Sequence, residues 1–436
     1  MALPDLIEIM PLDRPVQARI TVPGSKSITN RALILAALGE GETTLRGALW
    51  SEDTQAMVEC LQELGFMINV RPSPEETSNR TITVYGRGGT VPPGGTEQQP
   101  VELFVGNAGT AARFLAAFLC LGRGVYRLSG VARMHERPQA ELFRALEQLG
   151  YHIESPNSKL PALIHGGGPR PGKCCVSIKE SSQFASALIL CARTGSWQVE
   201  ITGQNAAESP YAAMTLELTK IFPTTGGAVE IDPDASSAGY FWGLDWLLSQ
   251  PSEVNSHTTA GSKVEVVLPR QFMESWQIDA RFPLFLRSAT VEISRNDDLG
   301  DSVMMAVVLA PFRATGGVFT DLGRLRLQEC ERVAALRTEL TRCGAEVLEQ
   351  GDCLHVSKST LHGAEIETYY DHRLAMCFAI LGLKIAGIKI KNPCCVKKTF
   401  PDFFQKLAAP TPNGLGARIC DGRTGRALGL DELFAV

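Results

Sequence analysis

The sequence is short of several features that would have set its class at once. Aromatic residues fill 7% of its 436 positions and charged residues 20%. Lysine and arginine, 42 in all, are outnumbered by 47 aspartates and glutamates, which leaves a formal net charge of -5. A general nucleic-acid binder needs a basic surface to displace phosphate counterions, so no nucleic-acid partner is expected. An acidic chain can still bind anions where its basic side chains converge. Long hydrophobic runs are missing too. The most apolar stretch, 374–390, is broken by Lys384 and Lys389, whereas a bilayer span needs roughly 20 apolar residues. No membrane partner is expected. The opening MALPDLIEIM has acids and no basic segment, which predicts no signal peptide. The 12 cysteines contain no CxxC pair and include the neighbours Cys174-Cys175 and Cys394-Cys395. That usage predicts free thiols in a reducing cytoplasm. The 7 histidines form no HExxH and stand at no zinc-finger spacing, so no metal is expected.

What is present is ordinary globular material. Hydrophobic residues make up 44%, with 41 Gly and 25 Pro. That excludes a disordered chain, and the length suits two or three domains, or two large ones. Three segments look alike, starting at Gly41, Gly124 and Gly317. Each runs from a glycine through a short alternating strand and a polar loop to a helix with apolar residues at three- and four-residue steps. Each helix stops at a glycine, and the first-to-last glycine spacings are 24, 26 and 27 residues. Looser copies start at Gly195 and Gly387. A strand–loop–helix unit of this kind cannot bury its helix alone, so several must pack together.

Several loops between strand and helix carry polar chemistry. Pro23-Gly24-Ser25-Lys26-Ser27-Ile28-Thr29-Asn30-Arg31 lies between ARITV and ALILAALG. Exposed amides, a helix start and two cations suit an anion there, although a solvated helix cap would look the same. It is not a P-loop, because Ser25 separates glycine from lysine. Gly106-Asn107-Ala108-Gly109-Thr110-Ala111-Ala112-Arg113 lets another molecule approach its backbone, or Asn107 or Thr110 caps the helix. Ser181-Ser182-Gln183 opens FASALILCA and suits phosphate oxygens or a cap. Arg137, Arg332, Asp371-His372-Arg373 and Lys397-Lys398 fall at loop-to-helix junctions. Several cations at equivalent places of a repeat suggest helix starts aimed at one centre. Asp301 begins another apolar helix and reads as an N-cap or as a base. Glu329, close to Arg332, reads as a helix-surface acid or as a proton donor.

Taken together, PGSKSITNRAL, GNAGTAAR, RMHERP, SSQF, DPDASSAGYF, YYDHRLAMCF and KTFPDFF resemble the 5-enolpyruvylshikimate-3-phosphate synthase family, the 3-phosphoshikimate 1-carboxyvinyltransferases. The motifs run in order from about residue 8 to 407. The resemblance implies a two-domain inside-out α/β barrel with three βαβαββ repeats in each domain. Residues 1–22 with 234–436 would form one domain and 23–233 the other, with the active site in the cleft between them. It implies transfer of the enolpyruvyl group of phosphoenolpyruvate to the 5-hydroxyl of shikimate 3-phosphate, with release of phosphate. No metal or cofactor is implied, and the chain is expected to act as a monomer.

The same resemblance implies roles by position. Lys26, Ser27, Arg31, Ser181, Ser182, Gln183, Tyr211, Asp301 and Gln328 would hold shikimate 3-phosphate. Lys26, Asn107, Gly109, Arg137, Gln183, Arg332, Arg373 and Lys398 would surround phosphoenolpyruvate. Asp301, Glu329 and Lys26 would be catalytic, Asp301 taking the hydroxyl proton and Glu329 sharing in protonation of the methylene carbon. Four positions depart from the family pattern. Gln328 replaces its usual lysine, Arg324 its asparagine, Phe114 a frequent proline, and Glu208 a phosphate-binding serine. These departures leave open a carboxyvinyltransferase with another acceptor, or a paralogue that binds the sugar phosphate without turnover.

Overall fold

The computed structural model describes residues 3–203, 209–250, 259, 261–269 and 276–435. Glu208 lies outside the described residues. The chain divides into two units, Met1–Val22 with Pro233–Val436, and Pro23–Asp232. Each has a hydrophobic core of its own.

Both units mix helices with sheets, and the sheets repeat one pairing scheme. In the second unit, Arg123–Ser129 pairs parallel with Val101–Phe104 and antiparallel with Ala162–Gly167, which pairs antiparallel with His152–Glu154. Glu40–Leu49 has the same neighbours in kind, parallel to Gly227–Glu230 and antiparallel to Asn79–Arg87. In the first unit, Gly317–Thr320 and Ile388–Lys391 again each have one parallel and one antiparallel partner. Trp197–Thr202 pairs parallel with Gly172–Ser177. Four of the five repeated sequence segments therefore land on strands with the same two kinds of partner, and the fifth, Trp197–Thr202, has the parallel one alone among the described residues. A parallel partner requires a crossover, which the preceding helix supplies for every one of these strands except Glu40–Leu49, whose parallel partner Gly227–Glu230 comes later in the chain.

The crossover helices explain the runs of apolar residues. In the second unit, Lys26–Leu38, Gly109–Cys120 and Ser182–Gly195 pack on one another. In the first, Ala235–Ser249, Val303–Leu309 and His372–Gly382 do the same. Every residue of Gly109–Cys120 and His372–Gly382 is buried. A surface helix is apolar along one stripe, whereas an enclosed helix must be apolar all round. Each Phe or Leu so buried contributes about 1.5–3 kcal/mol of transfer free energy. Among the described residues no helix is long and apolar enough to cross a membrane.

One close approach fixes the loop before the first of these helices. A Cβ on Gly24 would stand 1.9 Å from the carbonyl oxygen of Gly47. Gly47 lies where the register between Glu40–Leu49 and Asn79–Arg87 shifts, with φ at +68°. Two glycines thus let Pro23–Lys26 rest on a bulged strand.

Candidate active site

In the unit Pro23–Asp232 all three buried helices begin in candidate residues, and in the other unit Asp301 precedes Val303–Leu309 and Arg373 lies in the first turn of His372–Gly382. Those starts carry the positive end of the helix dipole. Two clusters result, one in each unit.

In the unit Pro23–Asp232, Lys26 opens the first helix, and its Nζ lies 3.0 Å from Oδ2 of the buried Asp53. Arg31, one turn on, is 2% exposed. Its Nη1 donates to the Ser27 carbonyl at 2.8 Å, its Nε to Thr215 Oγ1 at 2.7 Å and its Nη2 to Ser186 Oγ at 3.1 Å. Nη2 also reaches the Tyr211 carbonyl at 3.5 Å. Burial pulls the guanidinium down to about 10. Arg31 therefore ties three helices together and fixes the backbone of Ser27 and Tyr211. Phe114, the departure from proline, lies under it, with the guanidinium carbon 5.2 Å from the ring centre.

Ser181 caps the third helix, its hydroxyl accepting from the Gln183 N–H at 3.2 Å. Both it and Ser182 are buried. The Gln183 side chain donates to Thr110 Oγ1 at 3.2 Å and accepts from Arg113. Neither Asn107 nor Thr110 caps the middle helix, whose N-cap is Ala108. The Asn107 carbonyl instead accepts from Arg137 Nη1 at 3.1 Å. A Cβ on Gly109 would come within 2.6 Å of that guanidinium, so the glycine makes room for it. Asn107, Gly109, Arg137 and Gln183 thus form one polar patch at two helix starts. A cavity at the opposite ends of these helices, lined by Leu38, Ile189, Leu216 and Phe222, contains none of the candidate residues.

In the unit formed by Met1–Val22 and Pro233–Val436, the hub is Arg332, 1% exposed. Its Nε is 2.6 Å from Asp371 Oδ2, its Nη2 2.8 Å from Glu329 Oε2, and its Nη1 3.8 Å from Asp301 Oδ1. Nη1 also donates to Gln328 Oε1. Asp371 caps the helix His372–Gly382 through the Arg373 N–H at 2.8 Å. That places the Arg373 Nε 3.0 Å from Asp301 Oδ2. Lys398 Nζ is 3.8 Å from Glu329 Oε1. Asp301, Gln328, Glu329, Arg332, Arg373 and Lys398 are therefore all brought together.

Asp301 is not the helix cap. The N-cap is Ser302, and the Asp301 carboxylate faces guanidiniums instead. Burial pushes its carboxyl up, but Arg373, Arg332 and Arg295 outweigh that and hold it well below the ordinary carboxylate range. Burial likewise pulls Arg332 down, and Asp371, Glu329 and Asp301 more than reverse it. Glu329 is not a surface acid, since its side chain is 10% exposed.

Sequence reading missed three contributors. Arg295, 2% exposed, holds Nη2 3.5 Å from Asp301 Oδ1. The available signal was a lone arginine in the loop before Asp301. Arg113, quoted only within its motif, connects Gln183 to the Pro138 carbonyl, 3.2 Å away. Asp53, the partner of Lys26, is an unremarked acid in the first turn of Glu52–Glu63, and no local pattern marks it.

Comparison with known proteins places these clusters in context. The family model described as EPSP synthase (3-phosphoshikimate 1-carboxyvinyltransferase) matches residues 12–232 and 220–407. A protein named 3-phosphoshikimate 1-carboxyvinyltransferase from Nostoc punctiforme is 35% identical over 432 residues, covering 92% of this chain and 98% of the relative. One of the same name from Pseudomonas syringae pv. syringae is 34% identical, covering 92% of this chain and 97% of the relative. The solved EPSP synthase from Acinetobacter baumannii shares the fold, with a TM-score of 0.72 at 21% identity, covering 95% of this chain and 99% of that one.

Proposed function

The chain belongs to the EPSP synthase (3-phosphoshikimate 1-carboxyvinyltransferase) family, and we propose that its two clusters carry one reaction, transfer of the enolpyruvyl group of phosphoenolpyruvate to the 5-hydroxyl of shikimate 3-phosphate. The chain is accordingly a carboxyvinyltransferase of the shikimate pathway. Lys26, Ser27, Ser181, Ser182, Gln183, Tyr211, Asp301 and Gln328 hold the acceptor, and Arg31 serves them by fixing Ser27 and Tyr211. Lys26, Asn107, Gly109, Arg137, Gln183, Arg332, Arg373 and Lys398 surround phosphoenolpyruvate. Phosphates and carboxylates need several fixed cations, and charge-assisted hydrogen bonds are roughly twice as strong as neutral ones.

The observation that carries this reading is Asp301, a carboxylate 16% exposed and ringed by three guanidiniums. So held, it stays ionised and is a weak base. An arriving phosphate or carboxylate competes for the same guanidiniums. As they turn to the ligand, the proton affinity of Asp301 rises. The base thus strengthens when substrate is present, the moment at which it must take the 5-hydroxyl proton. The alkoxide oxygen attacks C2 of the enolpyruvyl group while the methylene carbon is protonated, with Glu329 and Lys26 taking part. The resulting tetrahedral ketal phosphate loses phosphate and a methyl proton, restoring the double bond. Lys398 and Arg332 beside Glu329 stabilise the charge that moves.

The 12 cysteines are free thiols, which supports a cytoplasmic setting. The test is phosphate release with shikimate 3-phosphate and phosphoenolpyruvate. Release that requires both substrates is expected. Release only with a different hydroxylated acceptor, or none at all, would overturn the proposal.

A further inference from the structure

The expectation of no metal site rests on spacing along the chain, and sheet register brings together what spacing does not. His152 and Glu154 stand two residues apart on the edge strand His152–Glu154 and share one face of the sheet. The register pairs His152 directly with His165 on the neighbouring strand Ala162–Gly167. The two imidazole rings are 4.7 Å apart between centres. Glu154 Oε1 lies 2.7 Å from His165 Nε2 and 3.3 Å from His152 Nε2. One donor atom from each of the three side chains falls within 4.8 Å of the other two. Among the described residues no other group of three histidines, cysteines or acids meets this condition.

We propose that His152, Glu154 and His165 form a binding site for a borderline divalent transition-metal ion, with Zn²⁺ the principal occupant. The donor set selects the ion class. Two neutral imidazoles and one carboxylate suit Zn²⁺, Ni²⁺ or Cu²⁺, whereas Mg²⁺ and Ca²⁺ take oxygen ligands. The geometry suits the bond lengths. With bonds of about 2.0–2.1 Å, tetrahedral donors stand about 3.4 Å apart, close to the His152–Glu154 separation of 3.3 Å. The His165–Glu154 separation of 2.7 Å needs to open by only a fraction of an ångström.

The scaffold holds this arrangement in place. Between the ligands, Ile153 pairs with Ile164, and their side chains are 7% and 0% exposed on the opposite, core-facing side. A slip of the edge strand by one residue would bring Ile153 to the surface and carry His152 and Glu154 inward. The site is also accessible, since the side chains of His152, Glu154 and His165 are 68%, 50% and 21% exposed. Three protein ligands leave at least one coordination position for water or another group. The bound ion ties the edge strand to its neighbour and so stabilises the folded unit Pro23–Asp232. None of the three residues belongs to either catalytic cluster, so the proposal does not depend on the proposed reaction.

The test is isothermal titration of untagged full-length protein with ZnCl₂ in a non-coordinating buffer. Wild type should bind one ion per chain at this site. His152→Ala and His165→Ala should each weaken it at least about tenfold, the scale on which even outer-shell changes act on metal affinity. His152 is the most exposed of the three, so its variant keeps the fold, which a metal-free melting curve checks. Zn²⁺ should raise the wild-type melting temperature and leave His152→Ala unmoved, and MgCl₂ should do neither. Absence of one-to-one Zn²⁺ binding in wild type, or an affinity unchanged in both histidine variants, would overturn the proposal.

Discussion

Replacing Gln328 with lysine asks whether the departure from the family pattern is a lost function or a rebuilt contact. The Gln328 side-chain oxygen accepts from Arg332 Nη1, and Arg332 is the buried hub that also holds Glu329, Asp371 and Asp301. A lysine removes that acceptor and presents a cation to a guanidinium. A hydrogen bond to a charged group contributes about 1.5–3 kcal/mol. Two like charges about 4 Å apart repel by about 4 kcal/mol at an effective dielectric near 20. The neighbouring carboxylates offset much of that repulsion, and a lysine that swings away avoids the rest. The lost hydrogen bond then sets the lower bound, and a loss of about 1.4 kcal/mol is a factor of ten. We therefore expect Gln328→Lys to lower kcat/KM for shikimate 3-phosphate about tenfold or more. The Arg324→Asn/Gln328→Lys pair should not recover it, because the Arg332 contact stays lost. The assay is steady-state phosphate release with both substrates for wild type and the two variants. A rise in kcat/KM in Gln328→Lys would refute the reasoning and mark the glutamine as a defect.

Three further outcomes are expected. Arg295→Gln removes one of the three guanidiniums around Asp301, so the proton affinity of Asp301 rises and the acid limb of the kcat profile moves to higher pH. A profile identical to wild type would deny Arg295 that role. The Asp301 carboxyl is depressed in the folded chain, so its stabilising contribution is fully present above the unfolded value of about 3.9 and is lost as pH falls through the folded one. The difference in urea midpoint between wild type and Asp301→Asn should therefore hold steady from about pH 5 to 8 and shrink below about pH 4; a difference that vanished near neutrality would contradict this. Gly24→Ala would place a Cβ 1.9 Å from a backbone oxygen, so thermal melting should show a loss of about 1–3 kcal/mol or more, and an unchanged melt would mean the loop moves freely.

The sequence reading reached the repeat, the apolar helices and the candidate residues because each leaves a local mark. Glycine spacing marks the strand–loop–helix unit. The short apolar runs after Arg113 and Arg373 mark the helices Gly109–Cys120 and His372–Gly382. Lys26, Ser181 and Arg373 sit in recognisable helix starts. What stayed hidden is tertiary. Asp301 and Glu329 could each be given a bland role from local sequence, and only the fold shows their carboxylates turned toward Arg373, Arg332 and Lys398. Arg31 is a cation beside an anion loop in the sequence, yet its bonds to Thr215 and Ser186 cross more than 150 residues of chain. Arg295 and Asp53 gain their meaning from a partner that no spacing predicts. The His152–His165 pair is of the same kind, since register alone makes the two residues neighbours.

The central claim is that Asp301, held ionised among arginines, takes the proton of the acceptor's 5-hydroxyl. Asp301→Asn keeps the size of the side chain and removes the base, so one pair of numbers tests it: single-turnover kcat, and the Kd for shikimate 3-phosphate from titration calorimetry. We expect a kcat lower by about a hundredfold or more, the ordinary scale of a general-base contribution, with Kd within a few-fold of wild type. A near-normal kcat in the folded variant would contradict it.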